Sequence, residues 1–187
     1  MTEARLVAQA LSGAQPAFEQ IVRRYQRPVI NFIARVTGDR AGAEDLAQET
    51  FVKAFRALHS FDTTRRFSSW LLRIAHNTAV DALRRTRGHE LSLDSRGDPD
   101  RLVPEPAAPP QPDLVEQQDL GRALDAALRR LRPEYRAAVV LRYHESLSFD
   151  EISAVMQVPE ATARTYVHRA RKELAGLMTA AGWDVPR

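Results

Sequence analysis

Apolar residues recur at helical spacing along nearly the whole chain, and no segment alternates in the manner of a half-buried strand. In the first half, Phe18, Ile21, Val22 and Tyr25 form one stripe behind Pro16, a residue suited to an opening helical turn. Pro28 is expected to kink or interrupt that helix before Ile30, Ile33 and Val36, because it lacks a backbone donor and its ring crowds the preceding turn. Past the turn "TGDRAG", the segment "AEDLAQETFVKAFRALHSF" restarts with acids in its first turn, where the helix dipole favours them. Its inner side is read as Leu46, Thr50, Phe51, Ala54, Phe55 and Leu58. The loop "DTTRR" then leads into "FSSWLLRIAHNTAVDALRR", helical from Ser68 to Arg85. The second half yields helices over Leu114 to Leu131 and Tyr135 to Tyr143, broken at "RPE", with two shorter ones behind them.

Between the halves the pattern stops. Residues 88–113, "GHELSLDSRGDPDRLVPEPAAPPQPD", hold six of the eleven prolines, so no long helix can cross them. The expected fold is therefore all-α: two small helical domains, 1–87 and 114–187, joined by a flexible, Pro-rich, acidic linker.

One segment of the second domain has clear mechanics. "SLSFDEISAVMQVPEATARTYVHRARKELAGLM" has the layout of a helix-turn-helix. Ser148 and Glu151 have the spacing of a capping box, and Ile152, Val155 and Met156 give the first helix an apolar side. "QVP" makes the turn. At about 100° per residue, Ala163, Val167, Ala170, Leu174 and Leu177 of the second helix fall on one arc. Arg164, Thr165, His168, Arg171 and Lys172 fall on the opposite arc, with Arg169 at its edge. A solvated helix normally mixes charges on its outer face, whereas this arc is positive or neutral, as a helix entering the major groove requires.

The helix after "DTTRR" sorts in the same way. Leu71, Ala75, Thr78, Ala79 and Ala82 form its buried arc, while Arg73, Asn77, Val80 and Arg84 line the other side, with Asp81 beside them. Asn is a poor helix former but pairs well with adenine edges. Phe61, Phe67 and Trp70 flank the pair Arg65–Arg66, an interleaving of rings and cations that suits single-stranded nucleic acid. For Phe67 and Trp70 two readings stay open, core anchor and stacking platform, and the anchor is the more ordinary.

Charge sharpens this picture. Over the 187 residues the net charge is only +3, but residues 1–87 hold 14 Lys/Arg against 8 Asp/Glu, and residues 88–120 hold 2 against 8. Residues 121–187 return to 11 against 8, so two basic blocks flank an acidic one, as two contacts with a polyanion would need. Cysteine is absent, which removes disulfides, thiolate metal sites and thiol catalysis. The start, "MTEARLVAQALSG", has no sustained apolar run, so neither a secretory signal nor membrane insertion is expected, and the expected location is the cytoplasm.

Taken together, "AEDLAQETFVKAFRAL", "FDTTRRFSSWLLRIAHNTAVDALRR" and "LRPEYRAAVVLRYHESLSFDEISAVMQVPEATARTYVHRARKEL" resemble a bacterial RNA polymerase sigma factor of the extracytoplasmic-function group. The resemblance implies a transcription initiation factor that binds core polymerase, at the β′ clamp helices and the β subunit, and directs it to promoters. On matching positions, Asp45, Leu46, Gln48 and Glu49 would face the clamp helices, although helix-start acids explain Asp45 and Glu49 nearly as well. The loop Asp62, Thr63, Thr64, Arg65, Arg66 and Phe67 would capture a base flipped from the melted −10 element. Arg73, Asn77 and Arg84 would lie along that strand. Arg164, Thr165, His168, Arg169, Arg171 and Lys172 would read the double-stranded −35 element. The resemblance further implies that the acidic linker threads polymerase channels as a displaceable substitute for nucleic acid. It also implies an anti-sigma factor whose surface overlaps the polymerase face, with no long N-terminal inhibitory segment and no additional domain in the chain.

Two other classes fit the chain less well. An enzyme is disfavoured: the five histidines are scattered, "YHESL" lacks the second His of a zinc-protease helix, and no Gly-rich phosphate loop occurs. No catalytic residue, metal or cofactor is therefore expected. A self-sufficient helix-turn-helix regulator, binding an operator as a dimer, would explain Ser146 to Met178 but would leave "DLAQETF", the aromatic–basic loop and the tether without a role.

Overall fold

Helix follows helix from Glu3 to Ala180: α1 (Glu3–Leu11), α2 (Gln15–Thr37), α3 (Ala43–Ala57), α4 (Phe67–Glu90), α5 (Pro112–Arg130), α6 (Pro133–Tyr143), α7 (Phe149–Met156) and α8 (Glu160–Ala180). A 3-10 turn, Leu58–Ser60, follows α3. The computed structural model describes the backbone of residues 2–90 and 112–183 and the side chains of 2–86 and 119–183. Most of the expected linker, 91–111, lies outside the described residues. Of its ends, 88–90 belong to α4 and 112–113 to α5, so both helices run a little past the boundaries that composition suggests.

The first half is built on α2, which is one continuous helix and not two. Ile21 precedes Pro28, while Val29, Phe32, Ile33 and Val36 follow it, and all five are buried on one face. Pro28 and Arg24, whose carbonyl loses its helical partner, are both exposed. Water can therefore satisfy that carbonyl, and the buried stripe holds the helix together across the break in its ladder. Gly38, at φ 77°, ends α2 in the left-handed conformation that a glycine adopts without strain. Tyr25 donates a hydrogen bond to the Glu3 carboxylate and ties α1 to α2.

In α3 the inner side comprises Ala43, Ala47, Thr50, Phe51 and Ala54, and Thr50 donates to the Leu46 carbonyl at 2.7 Å. Phe55 is not part of it. It is 57 % exposed, and its ring meets that of Phe18 edge-on, centroids 4.9 Å apart. One residue of helical rotation past Ala54 carries position 55 to the rim of the buried arc.

In the second half the capping box forms as the sequence predicts. Ser148 Oγ accepts the Glu151 N–H at 3.2 Å, and Glu151 Oε2 accepts the Ser148 N–H at 2.8 Å. Gln157, at φ 56°, turns the chain, Ser153 Oγ donates to the Val158 carbonyl at 2.6 Å, and Pro159 stands at the residue before α8. Short, locally satisfied turns of this kind fix the angle between α7 and α8.

Sequence periodicity predicts two tethered domains and is silent on whether they touch. They do: α4 packs against α7, and α2 against α6 and the end of α5. Their buried residues form a continuous cluster running from Phe32 and Leu71 to Leu141, Ile152 and Val155. Gly38 marks one close approach, since a Cβ there would meet Arg136 NH1 at 2.9 Å. Among the described residues, no helix is long and apolar enough to cross a membrane.

Candidate nucleic-acid interface

Two arginine-bearing surfaces stand out, and the first runs along α4. Arg66, Arg73, Asn77 and Arg84 are spaced by 7, 4 and 7 residues, which keeps them within about 40° around a helix axis. Asn77 and Arg84 are exposed and Arg73 is half-buried. On the far side Leu71, Ala75, Thr78 and Ala79 are buried and Ala82 is half-buried; Leu72 and His76 are buried as well, beyond the arc that periodicity alone marks. Burial holds the His76 ring below the ordinary imidazole pKa, against a smaller opposing effect of its hydrogen bond with Asn77.

The loop ahead of α4 presents Asp62, Thr63, Thr64, Arg65 and Arg66 to solvent. Its shape comes from Asp62, whose Oδ1 accepts the Thr64 N–H at 3.0 Å and the Thr64 hydroxyl at 2.7 Å. Those two bonds, the hydroxyl's first, hold the Asp62 carboxyl below the usual carboxylate range. Asp62 thus folds the loop, with Arg65 Nε 3.6 Å from its other oxygen.

Phe67 departs from the expectation that it contacts DNA. It is 2 % exposed and lies in an aromatic cluster, with centroids 5.4 Å from Phe61, 5.4 Å from Trp70 and 5.6 Å from Tyr25. Trp70 and Phe61 are buried too, so the rings beside the Arg65–Arg66 pair anchor the loop from below.

Facing this surface is the start of α7. Glu151 Oε1 accepts from Arg66 NH1 at 3.1 Å and from Ser69 Oγ at 3.1 Å, while its other oxygen completes the capping box. Burial would raise the pKa of Glu151. The Ser148 N–H, the Ser69 hydroxyl and the Arg66 charge outweigh it, and the carboxyl titrates below its ordinary range. A cavity of 350 Å³ opens here, with Arg65, Arg66 and Arg73 on one wall and Asp150 and Glu151 on the other. The sequence signals Glu151 only as a cap, because its second partner lies 85 residues away.

The second surface is the outer arc of α8. Ala163, Val167 and Ala170 are buried, Leu174 and Leu177 are half-buried, and Arg164, Thr165, His168, Arg171 and Lys172 are exposed. Arg169 is exposed as well, but its NH1 donates to the Tyr135 hydroxyl at 3.2 Å, tying it to α6. Arg164 is also engaged: its guanidinium lies 4.5 Å from the centre of the Phe149 ring and donates through Nε and NH2 to Glu160 Oε1. Nothing in the spacing of Phe149 announces this contact.

On α3, Asp45 and Gln48 are exposed, whereas Leu46 is half-buried against the core and turned away from Gln48. Glu49 is held below the usual carboxylate range first by the hydrogen bond from Lys53, at 2.7 Å, with Arg85 of α4 at 3.8 Å. The apolar residues that share the Gln48 stripe are Val52 and Phe55, at 50 % and 57 % exposure, and the inward reading of Phe55 hid them.

Comparison with known proteins follows this division. Residues 21–89 match the family described as Sigma-70 region 2, and residues 121–174 match Sigma-70, region 4. The ECF RNA polymerase sigma factor SigW of Bacillus subtilis is 33% identical over 179 residues, covering 90% of this chain and 92% of that protein. Among solved structures, CnrH in complex with the cytosolic domain of CnrY is 28% identical with a TM-score of 0.69, covering 95% of this chain and 97% of CnrH. The sigma factor RpoE in complex with the anti-sigma factor NepR, from Bartonella quintana, superposes with a TM-score of 0.72 at 23% identity, over 87% of this chain and 96% of RpoE.

Proposed function

Because the chain belongs to the extracytoplasmic-function (ECF) sigma factors of RNA polymerase, we propose that its two arginine-bearing surfaces divide one promoter between them. The protein is a transcription initiation factor that binds core polymerase and directs it to promoter DNA. The α4 stripe Arg73, Asn77 and Arg84, with the loop Asp62–Arg66 ahead of it, takes the melted −10 strand. Cations there follow the backbone, and Asn77 offers the donor–acceptor pair that an adenine edge needs. The α8 arc Arg164, Thr165, His168, Arg171 and Lys172 enters the major groove of the −35 element, and Arg169 braces it against α6. The observation that carries this reading is the coexistence of both stripes on one chain, each opposite a largely buried arc.

Core polymerase meets α3. Asp45 and Gln48 supply polar contacts and Val52 with Phe55 the apolar one, while Leu46 serves mainly the sigma factor's own core and Glu49 is already paired with Lys53. An anti-sigma factor that covers this face keeps the chain from polymerase. RNA synthesis itself belongs to the polymerase, so this chain contributes binding and no catalytic step, and its place of action is the cytoplasm.

Engaging both elements requires the halves to part. The centres of the −10 and −35 elements lie about 25 base pairs apart, roughly 85 Å along B-DNA, whereas here α7 touches α4. The 21 residues from 91 to 111 reach about 70 Å when fully extended, which with the dimensions of the two domains covers that span. Two weak contacts on one tether then reinforce each other through effective concentration.

Holoenzyme assembled with one surface altered at a time tests the assignment. Changes on α8 should abolish the response to −35 substitutions and leave the response to −10 substitutions intact, and changes at Asn77 or Arg84 should do the reverse. A crossed pattern, with α8 variants blind to −10 changes, would overturn it.

A further inference from the structure

A recognition arginine discriminates bases better when its guanidinium is already aimed, because a free side chain loses part of its binding energy to rotamer ordering. On the outer arc of α8, Arg164 is held from two sides. Glu160, four residues earlier, accepts from both Nε (3.2 Å) and NH2 (2.5 Å) through a single oxygen. Phe149, the first residue of α7, places its ring 4.5 Å beneath the same guanidinium. That ring is itself lodged: the capping box fixes where α7 begins, and Arg142 of α6 lies 4.7 Å from the ring centre while donating to the Leu147 carbonyl at 2.7 Å.

The edge left free matters most. Glu160 occupies the Nε–NH2 side of the fork, so the hydrogens that remain point outward from NH1 and NH2. That outward pair matches the O6 and N7 acceptors of guanine in the major groove. Glu160 also offsets the charge of Arg164, which weakens its attraction to phosphate and leaves its directional donors intact. A positioned, partly neutralised fork favours discrimination over bulk affinity.

We propose that Phe149 and Glu160 are positioning residues that aim Arg164 at a guanine of the −35 element, so that specificity at one base pair is set partly by residues that do not touch DNA. This rests on the reading of α8 as the −35 surface, and the test separates the two.

Holoenzyme affinity is measured on a consensus promoter and on single substitutions of each −35 base pair, for the full chain and for R164A, F149L, F149Y, E160Q and the doubles with R164A. In R164A, discrimination at one G·C pair should fall roughly 5- to 150-fold with the other pairs unaffected. F149L should lose about two- to fivefold of discrimination at that same pair, the size expected of an exposed cation–π contact, and F149Y should restore it. E160Q should lose about twofold there while binding non-specific DNA more tightly and with a steeper salt dependence. In the R164A background, neither F149L nor E160Q should change discrimination further. Losses by F149L or E160Q that are uniform across base pairs, or that persist in the R164A background, would make the two residues merely structural and overturn the proposal while leaving the −35 reading intact. A uniform loss in R164A itself would make Arg164 a phosphate contact and overturn the proposal through its premise.

Discussion

Replacing Phe67 separates two roles that a ring beside an arginine loop can play. Its side chain is 2 % exposed and meets three other rings at centroid distances of 5.4 to 5.6 Å. Phe67→Ala empties the centre of that cluster. Transfer and cavity terms together set the cost at about 3–5 kcal/mol, a large part of the stability of a domain this size. Phe67→Leu keeps an apolar side chain in place and should cost about 1–2 kcal/mol. Urea denaturation followed by tryptophan fluorescence suits both variants, because Trp70 lies within the cluster. At temperatures where Phe67→Leu stays folded, the loop Asp62–Arg66 keeps its shape, since Asp62 and Thr64 set it locally. Anisotropy of a labelled −10 single strand on holoenzyme should therefore be unchanged. A Leu variant of near-native stability that no longer holds the strand would refute the anchor reading and return Phe67 to the DNA surface.

Other consequences are equally open to measurement. Asn77→Ala and Arg84→Ala should slow promoter opening, read by permanganate footprinting, while core binding by native gel stays unchanged; loss of core binding would place that stripe on the polymerase instead. Glu151→Gln retains a capping-box partner but removes the carboxylate charge from Arg66 and Ser69. The free protein should then bind a −10 single strand several-fold more tightly (about 1 kcal/mol for a half-exposed charged contact), and an unaltered affinity would show that this contact does not compete with DNA. Burial lowers the His76 pKa, so below an ordinary value of about 6.5 the unfolded chain binds a proton that the folded ring refuses. Stability should consequently rise with pH up to about 6.5 and level off above it, and His76→Gln should remove that part of the slope in denaturation midpoints taken from pH 5 to 8.

What could be read from sequence follows the range of the forces involved. The capping box at Ser148 and Glu151, the turn at Gln157 and the two-sided sorting of α8 depend on neighbours within about one helical turn, and all were legible. Pro28 does not interrupt α2, because whether a proline does so depends on the surroundings of the Arg24 carbonyl, which lies on the solvent side. Phe55 misled because one rotation step separates the buried arc of α3 from its rim, and only Phe18 of α2 shows which side it takes. The meeting of α4 with α7, the second partner of Glu151 and the stack of Phe149 on Arg164 were illegible, since each joins segments that periodicity treats separately. The candidate DNA surfaces were thus visible as stripes, and the contacts that cover or aim them were not.

The central claim is that this chain acts through polymerase and not alone. Purified protein mixed with core RNA polymerase and a library of promoter templates should yield run-off transcripts from a discrete subset sharing −10 and −35 sequences. Sequence-specific operator binding by the protein alone, with no transcript from any template, would contradict the account.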